Sequence, residues 1–197
     1  ERGAAFAKWR AVFEVDTITP FSARANGHAL ARYAALCQQH GIVPIVEPEV
    51  LCAGDHDLAD AERATRLAVG ALFGELVEAG VDLTGIVLKP NFVTPGLDAD
   101  PAPAAEVAAR TCAVLRDTVP AAVPGIAFLS GGHPTGRVCE FLAALDARAD
   151  RPWPVTFSFG RALVSAALRT WAGDPAEVGA AQLVLLDNCR TAADATR

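Results

Sequence analysis

Short apolar runs that end in polar or glycine residues alternate with longer amphipathic stretches five times along the chain. That alternation predicts five successive βα units, and hence a parallel sheet with right-handed crossovers. Strands are expected over residues 6–13, 42–46, 86–88, 126–129 and 155–159. Helices are expected over 22–39, 58–79, 104–118, 136–147, 162–171 and 176–188, with Ser22 as the first cap. Repeats of roughly 30–45 residues suit either a doubly wound sheet or a (β/α)₈ barrel. The strand ends separate the two. They carry Lys8 and Arg10, Glu47 and Glu49, Lys89, Ser130, and Ser158 with Arg161. A barrel gathers functional groups from several strands at its C-terminal face. A dinucleotide fold would place a G-x-G-x-x-G after its first strand, and none occurs. The expected fold class is therefore α/β, a TIM (β/α)₈-type barrel, with residues 1–197 as one domain.

Composition narrows the function classes. The chain has 197 residues, 52% of them hydrophobic and 20% charged, which is enough to bury a substantial core. The net charge is −6 and no basic run occurs, which argues against nucleic acid as a partner. No apolar run approaches the ~20 residues of a membrane-spanning helix. The start, with Glu1, Arg2 and Lys8, has no leader-like apolar core. Five cysteines, Cys37, Cys52, Cys112, Cys139 and Cys189, are odd in number and scattered, as expected of a reducing cytoplasm. Four histidines show no zinc-ligand spacing. The chain has no methionine, even at position 1, so a processed chain or a fragment is expected.

Lys89 ends the apolar run Gly85-Ile86-Val87-Leu88, and Pro90 follows it. Burying an unpartnered ammonium is costly, so such a lysine tends to lose its proton. The neutral amine is a nucleophile toward carbonyl carbon. At the reference pKa roughly one lysine in 2,500 is neutral at pH 7, and at a pKa of about 7.5 roughly a quarter are. The alternative is a strand-end lysine that snorkels to water. Spacing alone does not separate the two.

Glu47 and Glu49 flank Pro48, and residues two apart on a strand share a face. Beside an amine nucleophile, one of them can serve as general acid/base. The alternative is a rim pair that balances Lys8 and Arg10. Those two cations also share a face, and can bind an anionic substrate group. Ser130-Gly131-Gly132 and Gly160-Arg161 each follow a strand and open a helix. Glycines let backbone N–H groups approach an anion, and arginine grips phosphate with two donors. Adjacent turns of this kind predict one phosphate site, Ser130, Gly131, Gly160 and Arg161. His56, in Gly54-Asp55-His56-Asp57, is read as part of a helix-capping loop rather than a metal ligand. His133 is read as a solvated loop residue, and Trp9, Trp153 and Trp171 as packing residues.

Together these residues resemble the C-terminal part of the class I, Schiff-base fructose-bisphosphate aldolases. The matching strings include Phe6-Ala7-Lys8-Trp9-Arg10, Val43-Pro44-Ile45-Val46-Glu47-Pro48-Glu49 and Gly54-Asp55-His56-Asp57-Leu58. Others are Leu88-Lys89-Pro90-Asn91, Val93-Thr94-Pro95-Gly96, Phe128-Leu129-Ser130-Gly131-Gly132 and Gly160-Arg161-Ala162-Leu163. They run in family order over nearly the whole chain. The resemblance implies Lys89 as the Schiff-base lysine and Glu47 as the main general acid/base. It implies Glu49 as its electrostatic support and Lys8 as the group that orients substrate. Arg10 matches a residue at the far phosphate, and Ser130, Gly131, Gly160 and Arg161 match the other phosphate set. It further implies a phosphorylated sugar as substrate, no metal or other cofactor, a homo-oligomer (a tetramer in the family) and a cytoplasmic protein.

The departures are as informative. The resemblance covers only the last five of the family's eight strands. The acidic residue of the first strand, the third-strand lysine and the terminal tyrosine have no counterpart here. Phe159 stands where tyrosine is common and His133 where glutamine is common, which is read as tuning. The chain alone is expected to be a weak or inactive aldolase. Two other readings use the same residues: a different Schiff-base lyase on this barrel, and a non-catalytic remnant.

Overall fold

The computed structural model describes residues 3–196, so Glu1 and Arg2, which figured in the reading of the start, and Arg197 lie outside the described residues. Five parallel strands form one sheet: β1 (Phe6–Phe13), β2 (Val43–Val50), β3 (Val87–Leu88), β4 (Ile126–Phe128) and β5 (Val155–Phe157). The helices are α1 (Pro20–Gln39), α2 (Leu58–Glu78), α3 (Ala104–Thr118), α4 (Thr135–Asp146), α5 (Arg161–Trp171) and α6 (Val178–Asp194). The spatial order is β1-β2-β3-β4-β5, the order of the chain. A doubly wound sheet reverses order at a switch point, and this one does not. Unreversed right-handed crossovers put the helices on one face, as in a barrel wall.

Alternation along the strands then sorts the side chains. Ala11 and Phe13, Val46 and Val50, Leu88, and Ile126 and Phe128 join the buried cluster under the helices, with Leu30, Leu72, Leu76 and Leu142. Each such Leu, Ile or Phe contributes about 1.5–3 kcal/mol by leaving water. Phe92 stacks on Phe128 at 4.2 Å between ring centroids. The opposite, concave face carries Phe6, Lys8, Arg10 and Val12 from β1 and Val43, Ile45, Glu47 and Glu49 from β2. Most of its apolar members are open to solvent: Phe6 is 65% exposed, Val12 and Val43 are also exposed, and Ile45 is half-buried.

Several sequence expectations need correction. β2 continues to Val50, through Glu47-Pro48-Glu49, instead of closing at Val46. Pro48 is tolerated because of where its missing N–H would point. Val46 accepts a hydrogen bond from Lys89 N–H at 2.8 Å, and residue 48 faces the same side. There β3 has already ended, and the next N–H on that side, of Val50, donates to Asn91 Oδ1 at 3.0 Å. α1 starts at Pro20, and Thr19 rather than Ser22 is its cap, the two forming a reciprocal capping box. β5 ends at Phe157, two residues early, and α6 runs six residues past the expected Asn188. Trp153 is buried and donates to Pro120 O at 3.0 Å, as a packing residue should. Trp9 and Trp171 remain half exposed, although Trp9 lies against the Tyr33 ring at 5.7 Å.

The segment after β3 is the least loop-like loop. Residues 91–96 have no regular structure, yet all are buried. Side chains satisfy their polar groups, as burial demands. Asn91 Nδ2 donates to Thr65 Oγ1 and to Phe92 O, and Val93 N–H donates to Thr111 Oγ1. Gly96 approaches the loop after β2 so closely that a Cβ there would sit 2.1 Å from Gly54 O. Its N–H donates to His56 O at 2.9 Å.

Candidate active site

The strand ends converge on one cavity of about 200 Å³. It is lined by Lys8 and Arg10 of β1, Glu47 and Glu49 of β2, Lys89 after β3, Leu129, Ser130 and Gly131 after β4, and Ser158, Gly160 and Arg161 after β5. All nine residues singled out from the sequence are among them. Ser158, one of the polar strand ends, and Leu129 complete the lining.

Pairing register explains how the cations meet the carboxylates. Lys8 is opposite Ile45 and Arg10 opposite Glu47. The ion pairs are instead diagonal: Lys8 Nζ lies 2.8 Å from Glu47 Oε2, and Arg10 Nε bonds Glu49 Oε2. Each cation leans one step toward the C-terminal end of the sheet. Glu47 also faces across to β3, where Lys89 Nζ lies 3.3 Å from Oε1. One buried carboxylate thus bridges two ammonium groups. Its Oε2 contact with Lys8 is close but off the hydrogen-bond direction, so among the described residues that oxygen has no hydrogen-bond partner. Lys89 is not the partnerless amine that sequence spacing suggested. Its side chain is only 12% exposed, so it does not snorkel away from the site.

On the other wall, Ser130 is buried and begins a tight turn in which His133 N–H donates to Ser130 O at 3.0 Å. Gly131 and Gly132 both have positive φ, +60° and +97°, which only glycine adopts without strain at two successive positions. Gly160 is the N-cap of α5 and Arg161 its first residue, with an exposed side chain. The cavity therefore sets four cations against two carboxylates, an excess that suits a phosphorylated ligand.

His133 is not the solvated residue the sequence suggested. Its ring is half-buried, contacts Thr94 Oγ1 through Nε2 at 3.2 Å and meets Phe141 edge-on. Burial, then the nearby Arg137 guanidinium, hold its imidazole below the ordinary range. His56 is buried beside the cap of α2, where Asp57 Oδ1 accepts from Asp60 N–H at 2.8 Å. Among the described residues no His, Cys, Asp and Glu cluster could hold a metal. The five cysteines are free thiols. Among the described residues no helix is long and apolar enough to cross a membrane.

Lysine usage gives a further signal. The chain contains only two lysines, Lys8 and Lys89, and both line this cavity. Arginine supplies the basic side chains elsewhere. A guanidinium replaces an ammonium well in a surface ion pair but cannot act as a nucleophile.

Comparison with known proteins agrees with this geometry. The sequence profile described as fructose-bisphosphate aldolase class-I matches residues 1–197. The chain is 45% identical to the cytosolic fructose-bisphosphate aldolase 5 of Arabidopsis thaliana over 198 residues, covering 98% of this chain and 55% of that protein. It is 47% identical to a probable fructose-bisphosphate aldolase class 1 of Xylella fastidiosa over 175 residues, covering 87% of this chain and 52% of the relative. A solved Plasmodium falciparum fructose-bisphosphate aldolase, in complex with TRAP and a small-molecule inhibitor, superposes with a TM-score of 0.93 at 41% identity. It matches 98% of this chain and 57% of that one. The chain thus spans about half the length of the relatives it matches, and over that span it belongs to the class I fructose-bisphosphate aldolase family.

Proposed function

We propose that this chain carries the Schiff-base site of a fructose-bisphosphate aldolase, which reversibly cleaves fructose 1,6-bisphosphate to dihydroxyacetone phosphate and glyceraldehyde 3-phosphate. The observation that carries the reading is the row Lys8–Glu47–Lys89, with contacts of 2.8 and 3.3 Å, facing an arginine- and glycine-lined wall. Attack requires that Lys89 Nζ give up a proton, and Glu47 Oε1 is placed to take it. Nζ adds to the C2 carbonyl carbon, and Glu47 returns its proton to the carbinolamine hydroxyl, which leaves as water and gives the iminium. Glu47 then removes the proton of the C4 hydroxyl. The C3–C4 bond breaks, its electron pair passes into the iminium as an enamine, and glyceraldehyde 3-phosphate leaves. Protonation at C3 and return of water release dihydroxyacetone phosphate and free Lys89.

The family resemblance, supported by their shared cavity, suggests roles for the other residues. Lys8 orients substrate hydroxyls and offsets developing charge. Glu49, tethered by Arg10, keeps negative potential behind Glu47. Arg10 is also near enough to the rim to meet the far phosphate. Ser130, Gly131, Gly160 and Arg161 hold the near phosphate through N–H, hydroxyl and guanidinium donors. No metal is required, because the iminium is the electron sink. In this reading residues 1–197 are one partial barrel domain of a cytoplasmic enzyme that assembles as a homo-oligomer. The free thiols and the cytosolic names of plant relatives support that compartment.

The test is cleavage by this chain joined to the first three βα units of a relative. Lys89→Arg abolishes turnover, and Arg161→Ala chiefly raises KM for the bisphosphate. Undiminished turnover in Lys89→Arg removes the nucleophile assignment and the proposal with it.

A further inference from the structure

Two side chains from the preceding loops grip the Ser130–His133 turn. From the loop after β2, Cys52 Sγ donates to Gly131 O. From the loop after β3, Thr94 Oγ1 meets His133 Nε2 at 3.2 Å. Both Cys52 and Thr94 are buried. Burial pushes the Cys52 thiol up from its ordinary range, so it stays protonated and can donate. The Phe141 ring, edge-on at 5.4 Å, fixes the His133 imidazole from the other side. The two loops are themselves joined: Leu97 N–H donates to Cys52 O at 2.7 Å and Asp98 N–H to Gly54 O at 2.9 Å. A Cβ on Gly131 would lie 3.4 Å from Cys52 Sγ, so thiol and turn are already in contact.

Planarity of the peptide bond gives this grip a consequence. The Gly131 carbonyl and the Gly132 N–H belong to one peptide unit and point in opposite directions. Tying the carbonyl to Cys52 therefore aims the Gly132 N–H away from Cys52. Gly132 lines the cleft that also holds Arg161, next to the catalytic cavity. Two glycines at positive φ are otherwise free to flip this peptide, because neither carries a Cβ.

We propose that Cys52 and His133 are positioning residues for the anion-binding turn, locking the Gly131–Gly132 peptide so that its N–H is presented toward phosphate. The proposal rests on reading that turn as the phosphate site. Neither residue is among those that line the catalytic cavity. A single hydrogen bond of this kind shifts anion affinity about two- to tenfold.

The experiment is titration of the 197-residue chain with inorganic phosphate, followed by the amide shifts of Gly131 and Gly132 in ¹H–¹⁵N spectra. Cys52→Val keeps the volume and removes the donor, Cys52→Ser restores a donor, and Thr94→Val cuts the second tie independently. Thermal unfolding of each variant confirms that it is folded. The expected result is a phosphate Kd raised about two- to tenfold in Cys52→Val and in Thr94→Val, with Cys52→Ser near wild type. Should Cys52→Val not fold, the Cys52→Ser and Thr94→Val arms still decide. Equal affinity in wild type and the donor-less variants, or an affinity in Cys52→Ser as weak as in Cys52→Val or Thr94→Val, overturns the positioning roles. Absence of any phosphate shift in the wild-type chain instead overturns the anion-site reading beneath them.

Discussion

On the helix-covered face of the sheet, Phe13, Val46, Leu88, Ile126 and Phe128 sit in one apolar cluster with the helices. The other face carries Lys8, Glu47 and, just past the end of β3, Lys89, with Glu47 in contact with both lysines. Below them Phe6 and Val43 lie exposed. The pleat puts the packed core on one side and the proposed site on the other, so substitutions on the two faces should fail in different ways. The exposed apolar rung is what the interior of a closed barrel presents to its own opposite wall. Within the described chain, β1 pairs only with β2 and β5 only with β4.

The comparison is sharpest at Glu47 and Phe128. In the completed barrel, Glu47→Gln should lower turnover about 10²- to 10⁴-fold, the usual weight of a general acid/base. Stopped-flow or coupled-assay rates check this. Its denaturant midpoint should stay nearer wild type than that of Phe128→Ala, which should lose about 3–5 kcal/mol of stability. If Phe128→Ala leaves stability intact, the helix-covered face is not the core.

The concave rung offers a smaller and conditional effect. Phe6→Ala in the chain alone should change stability by less than about 0.5 kcal/mol, because the ring is already in water. It should also reduce self-association, since β1 presents an unpaired edge beside Phe6. Joined to the missing strands, the same substitution should cost several kcal/mol, about as much as a core truncation. Equal costs in both contexts would mean that Phe6 does not become barrel interior.

The smallest effect lies on the outer helical surface. Glu62 of α2 bonds Arg110 of α3 at 2.7 Å and Arg66 at 2.9 Å. The Arg110 hydrogen bond, ahead of Arg66, holds the Glu62 carboxyl below its ordinary range. A lowered carboxylate stabilises the fold fully above its unfolded value, about 4.3, and loses that contribution as pH falls through the lowered value. Glu62→Gln should therefore flatten the acid limb of the stability profile below about pH 4 by under roughly 1 kcal/mol. Denaturant titrations at several pH values read this directly.

Much of this was legible in the sequence. The strand-helix alternation and the polar strand ends are local patterns, so the five βα units and the nine expected site residues could be found without coordinates. Pro48 misled because a proline reads as a strand terminator, whereas its effect depends on whether a neighbour waits on its N–H side. The burial of residues 91–96 was hidden because its hydrogen bonds go to Thr65 and Thr111, far away in the chain. His133 and Cys52 were illegible for the same reason: their partners come from other loops. The confinement of lysine to the site was present in the composition and went unread, although it needed only a count.

The central claim is that Lys89, and not Lys8, is the nucleophile. The most direct measurement is borohydride reduction of the completed barrel in the presence of dihydroxyacetone phosphate, followed by peptide mass mapping. With only two lysines in this chain, the map is unambiguous within it. The account predicts a reduced adduct on the peptide containing Lys89 and none on that containing Lys8. An adduct on Lys8, or none on this chain, would contradict it.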